Sequence, residues 1–386
     1  VIVGAVLFLL LALSTLIHLA LLAAMRTAVA AVYYRALGLS SLLAIVPLAA
    51  LWFLDRRERE TPWLFAAAFL WGASIATALA VPLNTAFFYA VDAWVAQNPM
   101  VTEVLGPDAT RMLAAPVSAP IVEESAKAAG VMLLFWLLRA EFDNMRDGLV
   151  YGALVGVGFN WLEAALYVAS GFAETGVVPY GAQLGLRYAL FGFGGHAMFT
   201  GLFGAFLGLA LQTRRRWLRV LAPIAGFAIA VAMHMLNNAL PLFAALTDVD
   251  SGEPPQAQDS VLRMPFLQAF LAGSAIQLTV FLPFVVIMAL SLWRSGVWER
   301  RVIREELADE IGRAVTEAEY VQIVRDRMLR TRRIDRLHPR TSAALVNAQH
   351  ELAFRKRRVR DEHRDPESDP LVAGWREDIR RLREAV

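Results

Sequence analysis

Apolar residues fill the first 293 positions in blocks of about 20, divided by short polar stretches, and a block of that length suits a helix crossing roughly 30 Å of hydrocarbon. Eight such spans are predicted, near 2–25, 36–54, 63–85, 114–138, 147–169, 188–211, 219–246 and 266–293. The fifth is rich in glycine, which membrane helices tolerate. The first lacks an A-x-A-like cleavage site before its flanking Arg26, so it reads as a retained helix more than a signal peptide. The fold class expected is all-α, a polytopic transmembrane helix bundle of about eight spans followed by a C-terminal soluble helical region.

The pattern changes at about residue 294. Residues 294–386 carry 22 basic and 18 acidic side chains, more than half of the charge in the chain. Ile303, Leu307, Ile311, Val315, Ala318, Val321 and Met328 recur near helical spacing, a second helix is expected over 342–362, and Asp365 to Pro370 reads as a linker or turn. Two domains follow, a membrane domain of 1–293 and a charged helical tail of 294–386. The run Arg355-Lys356-Arg357-Arg358 suits contact with a cytoplasmic protein or with anionic lipid, although alternating charge on a solvated helix is the simpler reading. No groove-reading or base-stacking motif accompanies the charge, so nucleic acid is not an expected partner.

Composition agrees with the pattern: 57% of the 386 residues are hydrophobic and the mean hydropathy is +0.48. Cysteine is absent, which excludes disulfides and thiolate metal sites. Arg56, Arg57 and Arg59 follow span two, Arg139 and Arg146 span four, Arg214, Arg215, Arg216 and Arg219 span six, and Arg294 span eight. Basic residues flanking every second connection place those loops and both termini in the cytoplasm of a multi-pass cell-membrane protein, with Arg26 and Arg35 as dissent.

Against this apolar background the ionisable residues stand out. Glu123, Glu124 and Lys127 lie within one span, where a charge at mid-bilayer costs roughly 2.5–3.5 kcal/mol and so faces protein or a watery cavity. Lys127 is three and four residues from the two glutamates, within reach of either. Span five carries Phe159 and Glu163, span six His196, and span seven His234 and Asn238 on one helix face. His18 is the remaining histidine within a span. Any one of these could simply bond a neighbouring helix.

Depth argues for a common purpose. Counting from the outer ends at 1.5 Å per residue, Glu123 lies about nine residues in, Glu163 about six, His196 about eight and His234 about six to twelve. Four spans of alternating direction converge on one level, as expected of a single cavity open to the outside. Paired glutamates beside a lysine can supply a general base, and histidine and asparagine can orient water or donate to an oxyanion. No G-x-S-x-G or H-E-x-x-H competes, and Ser125 and Lys127 diverge on a helix, against a Ser–Lys dyad. The same cluster could serve as the ion relay of a transporter, or persist in a non-catalytic receptor or scaffold. A relay needs a polar path to the cytoplasm, which spans five and six do not provide.

Glu123-Glu124-x-x-Lys127, Phe159-x-x-x-Glu163, His196 before a run of small residues, and His234-x-x-x-Asn238 resemble, in order, the motifs of the PrsW family of intramembrane proteases. The family is distantly similar to the CAAX prenyl endopeptidases; Glu163 and Lys127 replace that group's histidine and arginine. The resemblance covers 114–245, making 1–293 a protease domain. It implies site-1-type cleavage of a membrane-anchored protein substrate, such as a single-pass anti-sigma factor, near its extracytoplasmic end in the bilayer. In a metal-free version Glu123 or Glu124 activates water, Glu163 and His196 position it or shuttle protons, and His234 with Asn238 stabilises the oxyanion. In a zinc version, also attached to this family, His196, His234 and a glutamate such as Glu163 are ligands and another glutamate is the base. The His-x-x-x-Asn pairing favours the version without a cofactor, with Glu123 as base, Glu124 as partner of Lys127, and Lys127 and Phe159 in support.

Overall fold

The structure is a computed structural model that describes residues 2–55, 62–137, 142, 144–213, 215–248, 263–325, 334 and 337–384. Arg56, Arg57, Arg59, Arg139, Arg214 and Met328 lie outside the described residues. Two compact units are present, Val1–Trp52 with Thr61–Met288, and Phe53–Glu60 with Ala289–Val386.

Described secondary structure is helical apart from one isolated bridge between Ile311 and Val315. In the first unit α1 is Ile2–Ala24, α2 Thr27–Leu54 and α3 Pro62–Leu70. A π-helical turn, Trp71–Ala76, joins α3 to α4, Thr77–Ala96. There follow α5 Pro99–Leu105, α6 Ala109–Ala114, α7 Ser118–Leu137, α8 Met145–Thr175, α9 Tyr180–Arg187, α10 His196–Gln212, α11 Arg216–Asp248, α12 Phe266–Val280 and α13 Leu282–Ala308.

Six helical stretches among the described residues, not eight, are long and apolar enough to cross a membrane: Gly4–Ala24, Thr27–Leu54, Pro62–Ala96, Met145–Thr175, Arg216–Phe243 and Leu282–Ala308. The corrections have physical causes. α7 has the length, but Glu123, Glu124 and Lys127 break its apolar character. α10 starts at His196 instead of 188, because Leu190, Phe191, Gly192 and Gly195 take positive φ and interrupt the helix. The expected span 266–293 breaks at Phe281 into α12 and α13. At 17 and 15 residues, α10 and α12 are about 26 and 23 Å long, short of the hydrocarbon thickness.

α8 organises the unit, with 89% of its most apolar stretch buried. Asn144 caps it, accepting from the amides of Arg146 (2.8 Å) and Asp147 (3.2 Å), while Asp147 accepts the Asn144 amide in return. Gly176 closes it with φ +70°. One face presents Gly148, Gly152 and Gly156 to α10. A Cβ at these positions would lie 1.9 Å from the Gly204 carbonyl oxygen, 2.3 Å from that of Thr200 and 2.3 Å from that of His196. Small residues every fourth position thus bring the two backbones into contact, the usual way membrane helices approach closely. The seam ends at His196.

In the second unit the C-terminal part of α13 joins α14 Glu317–Val324, α15 Pro339–Asp361 and α16 Pro370–Glu384. Leu345, Leu352, Val372 and Ile379 share one core, and Val302, Leu307, Ile323 and Phe354 another. The basic run is engaged internally. Arg355 pairs with Asp369 at 2.7 Å, Lys356 with Glu310 at 2.6 Å, Arg357 with Asp361 at 3.1 Å and Arg358 with Glu362 at 3.6 Å.

Candidate active site

The π-helical turn seats the acidic helix. The hydroxyl of Thr77, at the head of α4, donates to the Gly72 carbonyl in the turn at 3.0 Å, and Trp71 Nε1 donates to the Ala126 carbonyl at 3.0 Å, with the indole against Gly130. Helix α7 then turns Glu123, Glu124 and Lys127 inward, all at most 4% exposed. Ser125 is on the exposed face, so no Ser–Lys dyad forms.

Glu124 is fully engaged. Lys127 Nζ donates to its Oε1 at 2.6 Å, His234 Nδ1 to the same oxygen at 3.0 Å, and the Thr200 hydroxyl to Oε2 at 3.0 Å. Glu123 differs. Its Oε1 accepts from Asn84 Nδ2 at 3.0 Å, and its buried Oε2 has no hydrogen-bond partner among the described residues, with Lys127 Nζ at 4.0 Å and His234 Nε2 at 3.9 Å.

An ammonium has only protons to give, so His196 Nδ1, 2.8 Å from Lys127 Nζ, is an acceptor and its Nε2–H donates to Glu163 Oε2 at 2.8 Å. The same logic puts the proton of His234 on Nδ1, toward the Glu124 carboxylate, and leaves Nε2 with its lone pair. Glu163 Oε2 also takes Arg187 Nη1 at 2.7 Å, and the guanidinium lies 4.0 Å above the Tyr167 ring. Phe159 walls the cluster, its ring 4.4 Å from Lys127 Nζ and 4.9 Å from the His196 ring. The two imidazoles stand edge to face at 4.9 Å.

Among the described residues, one group of side chains could hold a metal ion. Glu123, His196 and His234 each offer a ligand atom within 4.8 Å of the others, and all three are buried. Two imidazoles and a carboxylate are a complete catalytic zinc set, with His196 ligating through a ring nitrogen that it would release from Lys127 or Glu163 on binding the ion. The unpartnered Glu123 Oε2 fits a cation, and the bond from Glu124 to His234 is the outer-sphere carboxylate that orients a ligating imidazole. The glutamate in this group is Glu123, whereas the zinc alternative read from the sequence used Glu163.

Two cavities reach the cluster. One of about 630 Å³ is lined by Leu21, Asn84, Arg111, Glu123, Glu163 and Tyr167. Another of about 420 Å³ is lined by Glu163, Arg187, His196, His234, Asn238 and Gln277. Glu163 faces both. Asn238 donates Nδ2 to the Ala115 carbonyl at 3.2 Å. His18 is elsewhere, its Nδ1 bonded to the Ser14 carbonyl on α1. His196 heads its helix instead of lying eight residues inside a span, which removes it from the depth argument.

Asn84, Arg187 and Thr200 were not anticipated. Asn84 is the only side-chain amide between 62 and 96, a usable signal, whereas Arg187 sits at the edge of a predicted span and reads as a flanking charge.

The fold and the site define a polytopic all-α membrane protein with a buried Glu/His/His cluster. Residues 60–272 match the model of the PrsW family intramembrane metalloprotease, and the chain belongs to that family. Over 105 residues it is 33% identical to Protease PrsW of Geobacillus kaustophilus (strain HTA426), covering 26% of this chain and 42% of that relative. The chain therefore spans less than half the length of this curated relative. No solved structure matches it.

Proposed function

We propose that the protein is an intramembrane endopeptidase that hydrolyses a peptide bond of a membrane-anchored protein, with single-pass anti-sigma factors as the substrate class. Cleavage of the site-1 type on the extracytoplasmic side rests on the arginine pattern and the motif resemblance. The observation that carries the reading is that Glu123, Glu163, His196 and His234, from four helices, line two cavities that have Glu163 in common.

The Glu123–His196–His234 grouping and the family description favour metal-dependent hydrolysis over the metal-free form expected from the sequence. A zinc ion held by these three would supply Lewis-acid activation of water and of the scissile carbonyl. The remaining roles belong to side chains. Glu124 holds the His234 imidazole and is itself held by Lys127 and Thr200. Glu163, fixed by Arg187 and open to both cavities, is placed to take a proton from the attacking water and return it to the leaving amine. The free Oε2 of Glu123 supports a second reading, in which that oxygen is itself the base.

Purified protein and a single-span peptide in detergent micelles test the proposal. Expected are one zinc per chain, loss of cleavage with a strong chelator and its return with added Zn²⁺. Chelator-indifferent cleavage by metal-poor protein would shift the mechanism to the Glu123 base. Failure of zinc-loaded protein to cleave any membrane-anchored peptide would refute the endopeptidase itself.

A further inference from the structure

The smaller cavity contains a chain of side-chain amides that the zinc-dependent chemistry above leaves unused. Gln277 Nε2 donates to Asn237 Oδ1 at 3.3 Å, Asn237 Nδ2 to Asn238 Oδ1 at 3.3 Å, and Asn238 Nδ2 to the Ala115 carbonyl at 3.2 Å. A backbone carbonyl can only accept, so Ala115 fixes the orientation of Asn238, which fixes Asn237, which fixes Gln277. The free end of the chain is therefore an acceptor. Gln277 Oε1 has no hydrogen-bond partner among the described residues, although the side chain is only 6% exposed and lines the cavity with His196 and His234. An oxygen left unpaired in this way is destabilising, so a ligand that donates to it gains that interaction at no cost in water displaced from a solvated group.

Pro241 has no N–H to give to the Asn237 carbonyl four residues earlier on α11, and both residues line this cavity. The wall thus presents acceptors and exchangeable amides, the complement of a peptide backbone. Hydrolysis inside a bilayer creates a need for that complement. A spanning helix must unwind around the bond to be cut, and each main-chain group released there lacks water and is costly if unpaired.

On the proteolytic reading above, we infer that the Gln277–Asn237–Asn238 amide chain is the subsite for the unwound substrate backbone, with Gln277 Oε1 accepting a main-chain N–H beside the scissile bond. Recognition at that position is through the backbone, so the substrate class is a locally extended segment of a membrane helix with little side-chain preference there. Gln277 acts as a positioning residue.

An amide-to-ester scan tests this. Single-span fluorescent peptides in which one amide N–H at a time is replaced by an ester oxygen are bound to protein carrying Glu123→Gln, with or without Gln277→Met, in one detergent. One ester position should weaken binding about tenfold with Gln277 present. The Gln277→Met protein should bind amide and ester forms equally, both about tenfold more weakly. Kinetics of otherwise wild-type protein should show the same ester raising KM with kcat within about twofold. A flat scan, an ester penalty that persists in Gln277→Met, or absence of saturable binding would overturn the inference. A flat scan with cleavage intact refutes only the subsite, whereas a position-specific penalty with no cleavage of any peptide refutes only the proteolytic reading.

Discussion

Gly156→Ala adds one methyl at the point where the α8–α10 seam meets the site. An ideal Cβ there lies 2.3 Å from the His196 carbonyl oxygen, 2.6 Å from its carbon and 2.8 Å from Ala197 Cα, all backbone atoms that cannot rotate aside. Reaching the 3.4 Å at which ordinary contact begins would part the helices by about 1.1 Å at His196. Overpacking of this kind costs about 1–3 kcal/mol, and the better helix propensity of alanine returns up to about 1 kcal/mol. The net loss of stability is therefore small, on the order of 1 kcal/mol. Catalysis should suffer far more, because displacement of a catalytic constellation by about 1 Å costs on the order of a hundredfold in rate. Gly201→Ala is the control, since its Cβ would meet the Ala153 Cβ at 3.4 Å. Kinetics on a quenched single-span peptide, thermal unfolding and zinc content are measured for both. Expected is a hundredfold lower kcat/KM and reduced zinc retention for Gly156→Ala, with Gly201→Ala within about twofold of wild type. Equal activity of the two variants would refute the seam as the device that places His196.

Lys127→Met should destabilise the protein by about 3–5 kcal/mol, because it strands the buried Glu124 carboxylate, and Glu124→Gln in the same chain should recover part of that; a single variant that melts with wild type would contradict the pairing. Truncation after residue 298 should leave peptide cleavage within about twofold, since the candidate site lies wholly in the first unit; loss of cleavage with that unit still folded would assign the tail a direct role. In the second unit, Arg355 donates to both oxygens of Asp369 and holds its carboxyl down at about 2, below its ordinary 3.8. The folded value is the lower one, so this stabilisation is intact above about pH 4 and is lost as pH falls toward 2. Asp369→Asn should flatten the unit's stability over that interval in thermal melts, and an unchanged slope would remove Asp369 as its source.

Residues whose chemistry conflicts with their surroundings were the ones legible in the sequence. Glu123, Glu124, Lys127, Glu163, His196 and His234 stand in apolar runs that should exclude them, and the structure brings all six together. Glycine spacing on α8 was visible as composition, but its meaning depends on the register against Gly204, Thr200 and His196, which hydropathy does not encode. The span count failed for a related reason. Hydropathy sums over a window, so it carried 188–195 into a helix although Leu190 and Phe191 adopt positive φ, and it fused α12 with α13 across Phe281. Arg187 escaped notice because an arginine at the edge of an apolar run normally reports orientation; here it reaches Glu163 instead.

The adjacent glutamates show how far a motif can go in assigning roles. Successive helical positions point about 100° apart, so two neighbouring carboxylates cannot share one environment. Glu124 faces three donors, from Lys127, His234 and Thr200, and a carboxylate so engaged cannot accept a proton or a metal without releasing one of them. Glu123, one residue earlier, takes a hydrogen bond only from Asn84 among the described residues and keeps an oxygen free of hydrogen bonds toward His234 Nε2. The lysine closes the argument. Its ammonium neutralises Glu124 and donates to His196 Nδ1, fixing one imidazole directly and the other through the carboxylate. One cation three residues along the helix therefore sets the proton positions on both histidines, which a glutamate pair alone could not do.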